Sequence, residues 1–224
     1  MKNTTLFAGT IAFASLLVAT RSSGQTINAN FVQVVPGLNV NGTIDDGGFT
    51  QLYTSGVMSF TNFQAFCIEP AQGLANGDMP VYEVQNPLTL DITNKVSRLV
   101  GAYLSLWGGS APVTEQDKVD RSPDAAAIHW AIWEVTTETL GTYSLNDGIV
   151  RITGSGSDDT ATITRANQFL SNINTYSPAT VTFLTNPIYQ DVVAWSLVPD
   201  QVPEPGSAGL LAFSSLLMLR RRRR

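Results

Sequence analysis

The segment "AAAIHWAIWEV", Ala125–Val135, is apolar on nearly every side of a helix. A helix of that kind belongs in the middle of a fold, because it leaves no polar face to turn toward water. "SPD", Ser122–Asp124, supplies a capping hydroxyl, a proline for the first position and an acid for the first turn. A largely buried helix from about Pro123 to Glu138 is therefore predicted. It carries the only histidine of the chain, His129, just ahead of two of the four tryptophans, Trp130 and Trp133.

Two further segments share the helical period. In "DITNKVSRLVGAYLSLW", Val96, Leu99, Val100, Tyr103, Leu104 and Trp107 recur on one face, and "GGSAP" ends the run. In "SDDTATITRANQFLSNI", Ile163, Ala166, Phe169 or Leu170, and Ile173 do the same. Residues 28–86 read differently. "NFVQVV", "FTQLYTS", "VMSFTNF", "QAFCIE" and "PVYEVQ" are short, β-branched or aromatic, and punctuated by "IDDGG" and "ANGD". "ATVTFLTN" and "DVVAWSLV" return to strand. Strands at both ends and helices in the middle predict an α+β domain. A β-rich sandwich or barrel part should carry about three helices, with the first and last strands sharing a sheet.

The two ends do not belong to this domain. Lys2 and the apolar run Leu6–Thr20, followed by "SSG", read as a secretory signal peptide over residues 1–24. The body then covers 25–200. Residues 201–224 contain Val202-Pro203-Glu204-Pro205, an apolar run from Gly206 to Leu219 and five arginines, Arg220, Arg221, Arg222, Arg223 and Arg224. The apolar run is shorter than the roughly 20 residues of an ordinary spanning helix, but arginines can snorkel at its end. The two prolines make an extended step ahead of it. This tail resembles the PEP-CTERM sorting signal of Gram-negative bacteria. That resemblance implies export, transient anchoring in the inner membrane and removal of the tail by exosortase. The protein would then pass to the cell surface or the exopolysaccharide matrix.

With the ends set aside, six basic residues face 17 acidic ones in residues 25–200, a net charge of −11. Such a body should bind neither nucleic acid nor an anionic membrane. The chain holds one cysteine, Cys67. It cannot form an internal disulfide, so in an oxidising compartment it is buried, paired with another chain, or chemically used.

Cys67 sits in "FCIE", Phe66–Glu69, ahead of two helices, and the second helix carries a polar residue, one spacer, then Ala131-Ile132-Trp133. This pattern resembles the thioester domain of bacterial surface adhesins. There the cysteine thiol condenses with a glutamine carboxamide where a β-rich part meets a helical part. The family's cysteine maps to Cys67, but its glutamine falls on His129. Imidazole has no carboxamide and forms no thioester. Gln64 and Gln72 lie near Cys67 in sequence without matching the motif.

Three readings stay open at this point. Cys67 and His129 can be packing residues of a non-enzymatic adhesion or structural module that meets exopolysaccharide or surface ligands. Cys67 can capture partners covalently, activated by His129 or through another amide. The pair can serve a cysteine hydrolase or transferase, with Glu69 and Glu134 as candidate third groups. Whichever holds, Cys67 and His129 should meet across a strand–helix junction. One His, one Cys and scattered acids are too few for a zinc site, and "NDG" (Asn146–Gly148) and "GSGSDD" (Gly154–Asp159) lack a spaced calcium pattern. No metal or cofactor is expected. Trp107 and Trp133 should pack in the core, and Trp130 near the strand junction.

Overall fold

The computed structural model describes residues 25–44, 50–138 and 141–195. The expected signal peptide, the PEP-CTERM-like tail with Val202–Pro205 and Arg220–Arg224, and "IDDGG" beyond Ile44 lie outside the described residues.

Eight strands and three helices follow in chain order. They are β1 (Thr26–Asn28), β2 (Phe31–Thr43), β3 (Gln51–Phe60), β4 (Gln64–Cys67), β5 (Val81–Val84), α1 (Leu90–Trp107) and α2 (Glu115–Thr137). Then come β6 (Arg151–Ile152), α3 (Ser157–Ser171), a short 3₁₀ turn (Ile173–Thr175), β7 (Thr182–Thr185) and β8 (Val192–Ala194). The strands form one antiparallel sheet in the order β1-β5-β7-β8-β4-β3-β2-β6. This is the expected α+β fold, with the first and last strands in one sheet.

β1 lies at one end of the strand order and β2 next to the other end, inside β6, yet only Ala29 and Asn30 separate them. Ala29 and Phe31 donate their N–H groups to the carbonyls of Pro80 and Asp78 beside β5. The sheet must therefore curl round until its ends meet at this step, as a barrel does. Ile27, Val40, Val57, Phe66, Tyr82 and Val192 are buried in the core.

Helix α2 fills the centre, as its composition demands. Every residue from Asp124 to Val135 is buried. Its start differs from the expected one. Thr114 is the N-cap, in a reciprocal capping box with Asp117, and the helix runs through Ser122 and Pro123. The first two turns carry charged residues that need no apolar face, so periodicity gave no sign of them. Pro123 gives no N–H to the Val119 carbonyl one turn back, and the preceding Ser122 hydroxyl donates to the Lys118 carbonyl at 2.6 Å. Asp124 then ties three helices together. It accepts from Trp107 Nε1 of α1 at 2.9 Å and from Arg165 Nε of α3 at 2.6 Å.

Helix α3 is drawn to β2 by Asp159, whose carboxylate accepts from the backbone N–H and side-chain amide of Asn41 and from the N–H of Gly156. The acidic "GSGSDD" segment thus works as a helix start. Among the described residues no helix is long and apolar enough to cross a membrane.

The Trp130 ring of α2 packs directly on Gly42 of β2. A methyl group there would collide with the Trp130 ring and the Arg151 carbonyl. Gly42→Ala is expected to cost about 1–3 kcal/mol through overpacking, read as a lower urea midpoint at unchanged slope. An unchanged midpoint would show that α2 does not press on β2 at this point.

Candidate functional site

The site begins with a defect in the sheet. Pairing between β2 and β3 slips twice, between Phe31 and Gln33 and between Val34 and Gly37. Pro36, in the second slip, has no N–H to give the ladder. At the resumed pair Gly37–Gly56, two backbone N–H groups turn to α2 instead of to each other's strand. Gly37 donates to Ser122 Oγ at 3.1 Å, and Gly56 donates to His129 Nδ1 at 2.8 Å. Ser122 and His129 are seven residues apart, two helical turns, so they share one face. Gly56 has φ 152°, and a side chain there would strike the Pro36 carbonyl and the Gly37 backbone.

This contact fixes the state of the imidazole. Nδ1 accepts a hydrogen bond from the Gly56 N–H, so in the neutral ring the hydrogen sits on Nε2. His129 is 2% exposed. Burial pushes its pKa down to about 3, opposed by the hydrogen bond with the Gly56 main chain and then by the nearby Cys67 main chain. Nε2 makes no full hydrogen bond among the described residues, although the Cys67 main chain lies close to the ring. The ring lies 4.2 Å from Trp133 and 5.7 Å from Phe66, centroid to centroid.

Cys67 ends β4, paired with Val192 of β8, and is fully buried. Its thiol donates to the Glu69 carbonyl at 3.2 Å. Burial is the main reason its pKa is pushed up to about 12. The Trp133 indole beside the sulfur works against that rise, while the negative charges of Glu69 and Asp191 add to it. Trp133 Nε1 lies outside true hydrogen-bond geometry and is unpaired. The Cys67 main chain lies beside the His129 ring, with Trp133 next to both residues. The two side chains do not form a nucleophile–base pair. The histidine lone pair belongs to Gly56, and the thiol is held in its protonated form.

The remaining expected residues fall into place around this cluster. Ala131 and Ile132 are fully buried. Phe66 packs against Tyr103 and Trp195 as well as His129. Trp133 is 2% exposed and Trp130 is fully buried, and Tyr53 meets both rings edge-on. Trp107 is only partly buried, at the edge of the core. Neither acid completes a triad. Glu69 is half-buried, and burial, then the charge of Asp191, raises its pKa. Glu134 is five residues beyond His129, about 140° round the helix. Its carboxylate accepts from the Ser144 N–H at 2.7 Å, and burial raises its pKa to about 7. Among the described residues no three His, Cys, Asp or Glu side chains are grouped to hold a metal ion.

A cavity of about 350 Å3 opens beside the cluster. His129, Trp133, Tyr53, Met58 and Phe31 line it, and the loop Pro70–Leu74 forms its other wall. Gln72 of that loop carries a buried side-chain carbonyl oxygen with no partner. Gly56, Tyr53 and Gln190 had no motif to mark them. Only the β2–β3 slip and the curl of the sheet bring them here.

The state of the cluster has two measurable consequences. Between pH 6.5 and about 3 the unfolded histidine binds a proton that the folded one refuses, so its contribution to stability falls on acidification through that range. Glu134 works the opposite way, losing stability as pH rises from 4.5 to about 7. In a Cys67→Ala background, which leaves no thiol to meet a carboxamide, His129→Gln keeps an acceptor for Gly56 and removes only the first effect. The stability of this variant relative to the parent should improve as denaturation is moved from about pH 7 to about pH 5, whereas a constant difference would contradict a neutral buried ring. Cys67 should be alkylated by iodoacetamide only as fast as the chain unfolds. A native-state rate that climbs between about pH 7 and 9, as an ordinary thiol's does, would show a site open to solvent.

No known protein family, no curated protein and no solved structure matches this chain.

Proposed function

We propose that this chain is an exported, non-enzymatic attachment or structural module of the cell surface or extracellular matrix. Its Cys67–His129 pair joins strand to helix rather than reacting. One observation carries the non-enzymatic part: the imidazole lone pair is committed to the Gly56 N–H, beside a fully buried thiol. A general base needs that lone pair free, and a nucleophile needs a reachable thiolate. Export and surface delivery rest on the sequence of the two ends, including Val202-Pro203-Glu204-Pro205 and Arg220–Arg224. Exosortase and the secretion machinery are the partners that this tail implies. The net charge of −11 over residues 25–200 argues against nucleic acid as a partner.

A second reading is covalent capture through Cys67. It is favoured by Gln72, whose carboxamide lines the same cavity as His129 and Trp133. The raised thiol pKa weighs against it.

The test is delivery and retention in a matrix-forming Gram-negative host with an exosortase. The full chain and Cys67→Ala should both be retained with the cell-surface or matrix fraction. A chain lacking residues 201–224 should appear in the medium instead. Cys67→Ala should lose only about 1 kcal/mol of stability, like the loss of one buried methyl-sized group. A folded Cys67→Ala protein that is no longer retained would overturn the non-covalent reading.

A further inference from the structure

We propose that the cavity beside His129 and Trp133 binds a neutral sugar residue, either a hexose or an N-acetylhexosamine. This deepens the attachment reading and rests on it, because it names the class of ligand that attachment would use.

The first argument is charge. Residues 25–200 carry 17 acidic and six basic side chains, yet among the described residues neither a carboxylate nor a basic group lines this cavity. The His129 imidazole there is neutral over the physiological range. An anionic ligand would meet no counter-charge, and a cationic one no carboxylate. Burying an ion without a partner is costly, so the site selects an uncharged ligand.

The second argument is the kind of polar group on the wall. Gln72 and Gln190 bring two side-chain amides to the cavity, and Thr54 brings a hydroxyl. The Gln72 side-chain oxygen has no partner among the described residues. An amide carries both donors and an acceptor, so this wall suits a ligand that donates and accepts. Hydroxyl groups do both. The apolar walls, among them Tyr53 and Met58, suit the C–H face of a sugar ring. About 350 Å3 lies at the small end of ligand sites, the scale of a terminal sugar rather than a long chain. At the mouth, Leu52 is 62% exposed and Thr54 is exposed, leaving the entrance open.

The test follows the side-chain amide resonances of Gln72 and Gln190 in 1H–15N spectra. They are assigned by their disappearance in Gln72→Ala and Gln190→Ala. Glucose, galactose and N-acetylglucosamine are titrated separately at millimolar concentration, with glucuronate as the charged control. At least one neutral sugar should shift both amides along a saturating curve. Glucuronate should bind at least tenfold more weakly. The Gln72→Ala/Gln190→Ala double variant, with an unchanged melting temperature, should also bind at least tenfold more weakly.

If no neutral sugar moves either amide, or if the folded double variant binds as tightly as the parent, the proposal is overturned. Equal binding of glucuronate would overturn the selection for neutral ligands. Retention at the cell surface is scored separately. Retention without sugar binding leaves the attachment reading standing and removes this site. Sugar binding without retention removes the attachment reading and leaves the site.

Discussion

Where β2 and β3 slip past each other, two backbone N–H groups, those of Gly37 and Gly56, lose their places in the ladder. Leaving a buried N–H without a partner costs about 1–3 kcal/mol, so each demands an acceptor from elsewhere. Helix α2 supplies both from one face, through Ser122 Oγ and His129 Nδ1. That pair of bonds sets the depth and rotation of the central helix against the curled sheet. It brings Trp130 onto Gly42 and places Trp133 beside the Cys67 sulfur. It also requires the imidazole to be neutral, since a doubly protonated ring could not accept from Gly56.

The chemistry of the site follows from this structural duty. A histidine that must accept a backbone hydrogen bond has no lone pair left for a thiol. A cysteine at a strand end between Phe66 and Val192, donating to the Glu69 carbonyl, has little access to water. The two residues are neighbours without being a dyad. A glutamine carbonyl in place of His129 could accept the same Gly56 N–H, so the slot tolerates either residue type for packing, while only the glutamine offers an amide carbon to a thiol. The side-chain amides of Gln72 and Gln190 border the same cavity as His129 and Trp133.

The helices were legible in the sequence because burial imposes a period. Ala125–Val135 announced a helix buried on all sides, and "DITNKVSRLVGAYLSLW" and "SDDTATITRANQFLSNI" ran close to their observed lengths. The start of α2 was hidden because Glu115–Arg121 is charged and carries no period, while Ser122-Pro123 imitates an N-terminus. Strands β1 and β6 have three and two residues, too short for alternation to register. The second half of β2 is interrupted by Pro36 and Gly37, which read as a turn. The two short motifs pointed to Cys67 and His129, and the Cys67 main chain does lie beside the His129 ring. The ring's partner was not, because Gly56 acts through its backbone and its role depends on a slip in register. Gln72 was visible as an amide near Cys67, but its position on the cavity wall depends on how the loop folds back.

The central claim is that Cys67 and His129 form a packed and unreacted pair. The most direct test is the intact mass of the purified, mature protein before and after treatment with methylamine. The expected result is a mass equal to that of the mature sequence, unchanged by methylamine, with one thiol that titrates once the chain is unfolded. A mass short by one ammonia, followed by a methylamine adduct, would contradict the account. It would mean that Cys67 is bonded to a carboxamide and that capture of a partner is covalent.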